Sequence, residues 1–353
     1  MDLEFFFTRG ENRFLFLDKE SLHIGIGIKR FIPFEKLTQV DEFAFVCSHF
    51  FPSVKGDMWK NFRPGGYVAQ EYYKIEKAVI LRKKDDTNYP YHIVQEDREQ
   101  YEKAFEKVQE CISNGECEKI VLSRHIKIAL AQNISLETLF YRALENNPQS
   151  YIFFFILNGE CFFGASPELL IRKKGESISI DALAGTMKNE GENREKLLNC
   201  SKNSREHDIV VEEIFKEISP LCSMVQCLER EILPLKNLLH LHTPIVAHSK
   251  ASIVALLEKL HPTPALGGKP KKRAIEVIRE VEGYERGCYG APIGYLEGES
   301  GCFAVAIRSG LYSGSEITAF AGGGIVAGSA LESEYKECEN KLKTLLELFE
   351  ANV

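Results

Sequence analysis

The apolar positions of this chain follow two different periods. Between residues 97 and 113 they recur every third or fourth place. Tyr101, Phe105, Val108 and Ile112 form one stripe, which predicts an amphipathic helix stopped by Gly115. Residues 135–146, 197–218 and 331 to about 350 also read as helices, the first with Ser135 as its N-cap. Short apolar runs at 5–7, 14–17, 43–47, 119–128, 151–157, 161–165, 301–311 and 316–321 predict strands. Residues 57–73 contain glycine and proline and read as a connection. Strands and helices arrive in blocks without a steady βαβ alternation, which favours an α+β fold with antiparallel sheets. No repeat and no Pro/Gly/Ser-rich linker divides the sequence. The whole of 1–353 is therefore read as one domain, in which 1–95 is a strand-rich part and 96–353 carries the motifs.

Composition narrows the function classes. Hydrophobic residues make up 44% and charged residues 27%, an ordinary globular balance with material for a substantial core. A net charge of −7 lacks the basic footprint of a nucleic-acid binder. The one basic run, KPKKR at 269–273, passes at once into an acidic stretch and reads as a solvated helix start. The opening MDLEFFFTRG has no basic segment ahead of a long apolar stretch, so no signal peptide is expected. Runs such as 151–157 fall far short of the ~20 residues that span a membrane. Ten cysteines without a C-x-x-C pair read as reduced thiols of a cytoplasmic protein.

Several positions could carry chemistry, although each alone has an ordinary structural explanation. If 119–128 is a strand, Ile120, Leu122 and Ile126 face one way and Lys119, Val121, Ser123 and His125 the other. Lys119 is then either solvated or aimed into a cleft. Glu168 follows an apolar strand in SPELL (166–170), and ALAGT (182–186) closes another with small residues that let a backbone approach a ligand. Glu206 shares a helix face with Val210, where a carboxylate needs a partner or a metal. Glu334, Glu337 and Lys341 lie on one face of the last helix, as a surface ion pair or as oxygen ligands suited to Mg²⁺. Reading 301–311 as one strand puts Arg308 on a face with Cys302, Ala304 and Ala306, opposite Phe303, Val305 and Ile307. Small neighbours leave room for an anion that arginine can grip with two bonds. The AGGG run at 321–324 is a turn or a set of amides for an anion, but no Gly-Lys-Ser/Thr follows it. His240 and His242 share a strand face without a third soft ligand at a suitable spacing, which argues against zinc.

The ordered set EKIVLSR (118–124), SPELL, ALAGT, the REH helix (205–207), HPTPALGG (261–268), ERGCYG (285–290), AIRSG (306–310), FAGGGIV (320–326) and a closing E-x-x-E-x-x-x-K resembles the chorismate-utilising enzymes over roughly residues 95–350. The resemblance implies two large antiparallel β-sheets packed together with helices outside and a deep cleft between them. Within such a family, Lys119 stands where ammonia-using members carry glutamine, and Ala184 stands where aminodeoxychorismate synthases carry a nucleophilic lysine. Both point to water as nucleophile. Ala265 and Leu266 resemble dedicated isochorismate formers more than salicylate synthases, the close alternative. A catalytically silent chorismate-binding subunit is the alternative from another class. One departure is Tyr289-Gly-Ala-Pro292, where the family often has Tyr-x-Gly-Pro.

By this resemblance the reaction is the Mg²⁺-dependent conversion of chorismate to isochorismate, feeding menaquinone or catechol siderophores. Lys119 is the expected base and Glu168 the expected acid. Glu206 and Glu337 are the expected Mg²⁺ ligands, with Glu334 acting through water. Lys341 and the amides of Gly185 and Thr186 are expected at the ring carboxylate. Arg308, Tyr289 and the amides of Gly322 and Gly324 are expected at the enolpyruvyl carboxylate, with His261 and Leu266 bordering the ring. No glutaminase subunit is implied, and a monomer is expected. Each acid–base role requires burial to oppose the charged form, raising a carboxyl and lowering an amine.

Overall fold

The computed structural model describes residues 3–51, 57–80 and 85–350. Two ten-stranded sheets dominate it. The first runs Gly268–Lys269, Lys119–Leu130, Glu316–Val326, Ser309–Ser313, Glu160–Ser166, Tyr151–Leu157, Arg13–Leu17, Ser21–Ile26 and Glu71–Glu76, with Tyr91–Gln95 also pairing to Lys119–Leu130. The second runs Met224–Cys227, Leu238–His248, Ser177–Lys188, Leu169–Lys174, Ser300–Val305, Pro292–Glu297, Phe43–Cys47, Gly65–Val68 and Arg30–Pro33, with Glu231–Pro234 also on Leu238–His248. Neighbouring strands pair antiparallel.

The sheets pack face to face through aromatic side chains. Phe14 of the first stacks on Phe45 of the second at 5.3 Å, and Phe16 meets Tyr295 edge-on at 5.9 Å. The outer face of the first sheet is covered in turn, with Phe140 of the helix Leu136–Asn146 against Phe154. This explains why Tyr151–Leu157 is apolar without alternation: a strand covered on both faces buries every residue. The expected Ser135 cap is present, its hydroxyl accepting from the Thr138 amide at 3.0 Å. Gly115 ends the helix Arg98–Ser113 with φ +73°, a conformation that favours glycine. Asp97, just before that helix, makes no cap bond; its carboxylate takes Arg124 Nε and the His125 amide. No helix among the described residues is long and apolar enough to cross a membrane. All ten cysteines are free thiols.

Five expectations need correction. Residues 5–7 lie in a short helix, Glu4–Phe7, which buries Phe6 and leaves Phe5 exposed; a run of three apolar residues does not distinguish the two periods. Residues 57–73 are more than a connection, because Gly65–Val68 and the start of Glu71–Glu76 are strands. The second glycine of this run, Gly66, leaves room for Leu37 where a Cβ would sit 2.7 Å from it. The 197–218 helix is two, Asn193–Asn199 and Ser201–Ile218, broken by an extended Cys200. Residues 301–311 are also two strands, in different sheets, and this break builds the site. The KPKKR run likewise splits, Lys269 pairing with Lys119 in the first sheet before the helix Lys271–Val281 starts.

Candidate active site

The chain passes between the sheets twice at one place. Glu160–Ser166 belongs to the first sheet and Leu169–Lys174 to the second, so Pro167 and Glu168 form the crossing. Ser300–Val305 belongs to the second and Ser309–Ser313 to the first, with Arg308 in the return crossing. Backbone bonds clamp the two together: Val305 N donates to Glu168 O at 3.1 Å, and Ala165 N to Arg308 O at 3.2 Å. Arg308 adopts φ +51°, a left-handed conformation costly for a branched-out side chain and tolerated where the surroundings fix it. A continuous strand would have kept Arg308 beside Ala306; the turn sends it into a cleft instead.

That cleft holds about 510 Å³ of atom-free space, its open mouth included. Glu168, Gly185, Thr186, Glu206 and Leu266 line it, together with Tyr289, Arg308, Gly322, Gly324 and Lys341. Four expected residues do not. Lys119 stands directly behind Glu206 and Gly324. Glu334 and Glu337 stand behind the glycine run. His261 is turned away, its Nε2 bonded to the Phe50 carbonyl at 3.1 Å and its ring edge-on to Phe50. Ala265 and Leu266 form that wall, so His261 does not border the cavity.

Lys119 begins the strand Lys119–Leu130, where alternation sends it to the same side as Val121, which lines the cleft. It is fully buried, with Nζ 3.0 Å from Glu206 Oε1. Gly324 makes this meeting possible, since a Cβ there would lie 2.1 Å from Glu206 Oε1 and 2.8 Å from Lys119 Cε. Glu206 is held by its neighbour His207, whose ring bonds Ala184 O at 3.2 Å and Thr243 Oγ1 at 2.8 Å and so pins the helix Ser201–Ile218 to the second sheet. Burial opposes the Glu206 charge, but Lys119, then Lys341, hold its pKa below the ordinary carboxylate range.

Glu168 is the opposite case. Its Oε1 is buried without a hydrogen-bond partner. Burial, reinforced by the Asp181 carboxylate, pushes it up to about 8 against the pull of Lys119, Arg308 and Lys341.

The anion-facing wall comes from the second sheet and the last helix. A β-bulge between Ala184 and Thr186 puts Gly185 at φ +77°, and a Cβ there would press on Asn203 O at 3.1 Å. His240 lies between Thr186 and Arg308. Arginine only donates, so His240 Nε2 accepts from Arg308 Nη2 at 3.1 Å, and Nδ1–H donates to Thr186 Oγ1 at 3.0 Å. The Thr186 hydroxyl proton is then free for a ligand. Burial, with Arg308 and Lys341 adding to it, holds His240 well below its ordinary value, in keeping with a neutral ring. Tyr289 stacks on Phe320 at 5.3 Å, and its hydroxyl lies 3.0 Å from where a Cβ on Gly322 would sit.

In the helix Leu331–Leu346 the expected shared face is present, with Glu334 buried and Glu337 and Lys341 half-buried. Lys341 Nζ lies 2.7 Å from Glu337 Oε1 and donates to Gly322 O at 2.7 Å. Burial works against the Lys341 charge, but Glu337 holds its pKa above the ordinary range. Glu334 pairs with Lys202, yet its Oε2 is buried without a partner. Burial, then the Glu337 charge, raise the Glu334 carboxyl. Glu334 Oε2 and Glu337 Oε1 lie 3.7 and 3.8 Å from where a Cβ on Gly323 would sit.

Among the described residues no three such side chains form a ready ligand set, and Glu206, Glu334 and Glu337 each face a lysine. All three nevertheless act on one ammonium: burial opposes the Lys202 charge, but Glu334, Glu337 and Glu206 together raise its pKa. These carboxylates are the groups that could hold a hard divalent cation. Their oxygen-only chemistry and the orphaned Glu334 Oε2 fit Mg²⁺, which takes few carboxylates and keeps several waters.

His240, Asp181, Asn203 and His207 are the residues that sequence reasoning missed as parts of the site. The strand face shared by His240 and His242 is a sequence signal for His240; Asp181, Asn203 and His207 have no such signal.

Known proteins bear on this geometry. Residues 31–350 match the family described as chorismate binding enzyme. The isochorismate synthase MenF of Bacillus subtilis is 42% identical over 260 residues, 71% of this chain and 55% of that protein. The vibriobactin-specific isochorismate synthase of Vibrio cholerae is 30% identical over 294 residues, 78% of this chain and 74% of that protein. The chain thus spans little more than half the length of the Bacillus relative. The solved structure of the menaquinone-specific isochorismate synthase MenF from Escherichia coli superposes with a TM-score of 0.85 at 23% identity, covering 99% of this chain and 91% of that one, and so shares its fold. With the family match covering most of its length, the chain belongs to the chorismate-binding enzymes.

Proposed function

We propose that the protein is an isochorismate synthase that isomerises chorismate to isochorismate with Mg²⁺. The observation that carries this reading is Glu168, a buried carboxyl held up at about 8, and so protonated at neutral pH, in a cleft that also presents Arg308 and Lys341. Chorismate is a dianion, and those two cations suit its two carboxylates. Arg308, the Tyr289 hydroxyl and the amides of Gly322 and Gly324 bind the enolpyruvyl carboxylate. Lys341, the Gly185 and Thr186 amides and the Thr186 hydroxyl bind the ring carboxylate. Glu206 and Glu337 would hold Mg²⁺, with Glu334 acting through water. The ion, when bound, neutralises charge at the ring carboxylate.

Lys119 acts in its neutral amine form, taking a proton from water as the water oxygen adds to C2 of the ring. The double bonds shift, and the C4 hydroxyl leaves as water with the proton of Glu168, since free hydroxide leaves poorly. One water enters and one departs, so the net change is an isomerisation. Much of the rate comes from fixed orientation and prearranged charge. The reading places the enzyme in the cytoplasm, acting as a single chain without a glutaminase partner.

The test is to incubate the protein with chorismate and Mg²⁺, with an EDTA control, and separate the products by liquid chromatography. Isochorismate formed only with metal is the expected result. Accumulating salicylate and pyruvate would make it a salicylate synthase. Chorismate binding by calorimetry without any product would leave a silent binding subunit.

A further inference from the structure

A row of ionisable side chains crosses the second sheet from solvent to the peptide beside Glu168. Glu231 stands directly opposite His242 in the strand ladder, with its Oε1 2.9 Å from His242 Nδ1. His242 Nε2 lies 2.9 Å from Asp181 Oδ1 on the next strand. The other oxygen, Asp181 Oδ2, accepts from the Leu169 amide at 3.2 Å, and Leu169 follows Glu168 in the chain. Only the first member of the row is open to solvent: the Glu231 side chain is 60% exposed, against 10% for His242 and 11% for Asp181.

Both His242 nitrogens face carboxylate oxygens, which only accept, so both carry hydrogen and the ring is an imidazolium. Burial opposes that charge, but Asp181 and then Glu231 raise the pKa of the ring. Asp181 does not line the cleft, so it acts on a ligand indirectly. The charged groups acting on Glu168 are Asp181 on one side of the balance and Lys119, Arg308 and Lys341 on the other.

We propose that Asp181, braced by His242 and Glu231, is a positioning residue for Glu168: it fixes the peptide that carries the acid and supplies a negative field that keeps the proton on it. The proposal rests on the reading of Glu168 as the acid. It assigns opposite effects to neighbouring substitutions. Asp181→Asn keeps an oxygen for the Leu169 amide but removes the negative field, so Glu168 gives up its proton at lower pH. His242→Gln removes the positive charge that screens Asp181, so Glu168 keeps its proton to higher pH. Glu231→Gln only takes one of the two carboxylates away from His242, and its effect on Glu168 is the smallest of the three because Glu231 is largely exposed.

The experiment is the pH dependence of kcat/KM for isochorismate formation by the full chain at saturating Mg²⁺, which reports the acid and base of the free enzyme. In the unaltered enzyme the alkaline limb is expected near about 8. Asp181→Asn should move that limb down by roughly half to one pH unit, and His242→Gln should move it up, as a neighbouring charge demands. Limbs that stay in place, or that move the same way in both variants, would show a merely structural network and overturn the proposal. Should Asp181→Asn not fold, the upward shift in His242→Gln decides alone, and its absence rejects the idea. Absence of isochorismate from the unaltered protein is a different failure: it removes the acid reading itself, and the inference falls with it.

Discussion

Glu168 and Glu206 are two buried glutamates in the wall of one cleft, and their surroundings drive them to opposite charge states. Glu168 is repelled by the charge of Asp181, has an oxygen without a partner and is pushed up to about 8. Glu206 has the Lys119 ammonium 3.0 Å away and Lys341 acting with it, and its pKa is held down. Burial is common to both and tends to neutralise both. The cations decide, because an opposite charge in contact outweighs desolvation where remote ones do not. On the proposed reading the same residue type serves as a proton donor at one position in the cleft and as an anionic ligand at another, and such a divergence marks acid–base assignments.

The comparison breaks most visibly if the proton donor is removed. Glu168→Gln keeps the shape and a hydrogen-bond donor but has no proton to give a leaving hydroxide. Turnover should fall by about 10²–10⁴-fold, the usual worth of a general acid, while calorimetry still shows chorismate binding. Lys119→Ala should cost a similar factor and also strip Glu206 of its nearest cation. Appreciable isomerisation in either variant would refute the corresponding role.

The contrast between the two glutamates was only half legible in the sequence. Both positions were found through ordered motifs, and the helix face of Glu334, Glu337 and Lys341 followed from spacing alone. The paired sheets were implied by resemblance, and Tyr151–Leu157 and the Ser135 cap could be read from local pattern. The crossings were not legible. Residues 301–311 look like one alternating strand, and nothing in Cys302–Arg308 reveals that the chain changes sheet after Val305. Arg308 points into the cleft because of that turn, a tertiary event that overrides local pattern. Asp181, His240 and His242 escaped for a related reason: their roles depend on strands adjacent in space and distant in sequence, as in the ladder that sets His242 between Asp181 and Glu231. His261 was misplaced because a motif gives proximity and leaves orientation open.

The groups proposed to hold the metal and the substrate carboxylates offer the next tests. Glu337→Gln removes one expected ligand and the partner of Lys341. The Mg²⁺ concentration for half-maximal activity should rise by at least the ~10–100-fold typical of a lost outer partner at a metal site. Unchanged metal dependence would exclude Glu337 as a ligand. Arg308→Lys retains charge but loses the flat fork that can hold a carboxylate with two bonds. KM for chorismate should rise about tenfold, the equivalent of ~1.4 kcal/mol, with a smaller change in kcat. An unaltered KM would count against that contact.

The smallest effect is on stability, and it isolates the electrostatics of Glu168 from its chemistry. The folded carboxyl sits near about 8 against an ordinary 4.5. Between those values the native state holds a proton that the unfolded chain has lost. Stability from this group is therefore complete below the ordinary value and declines as pH rises through about 8. Glutamine cannot ionise, so Glu168→Gln removes the decline. Its Tm should match that of the unaltered protein near pH ~5 and exceed it by a few degrees near pH ~8, at roughly 2–4 °C per kcal/mol for a large domain. Glu206→Gln should show no such gain, because the fold already favours that carboxylate ionised and the change leaves Lys119 buried without its anion. A Tm difference for Glu168→Gln that is the same at both pH values would mean that the carboxyl is not held protonated, and the two glutamates would no longer differ in the way the cleft requires.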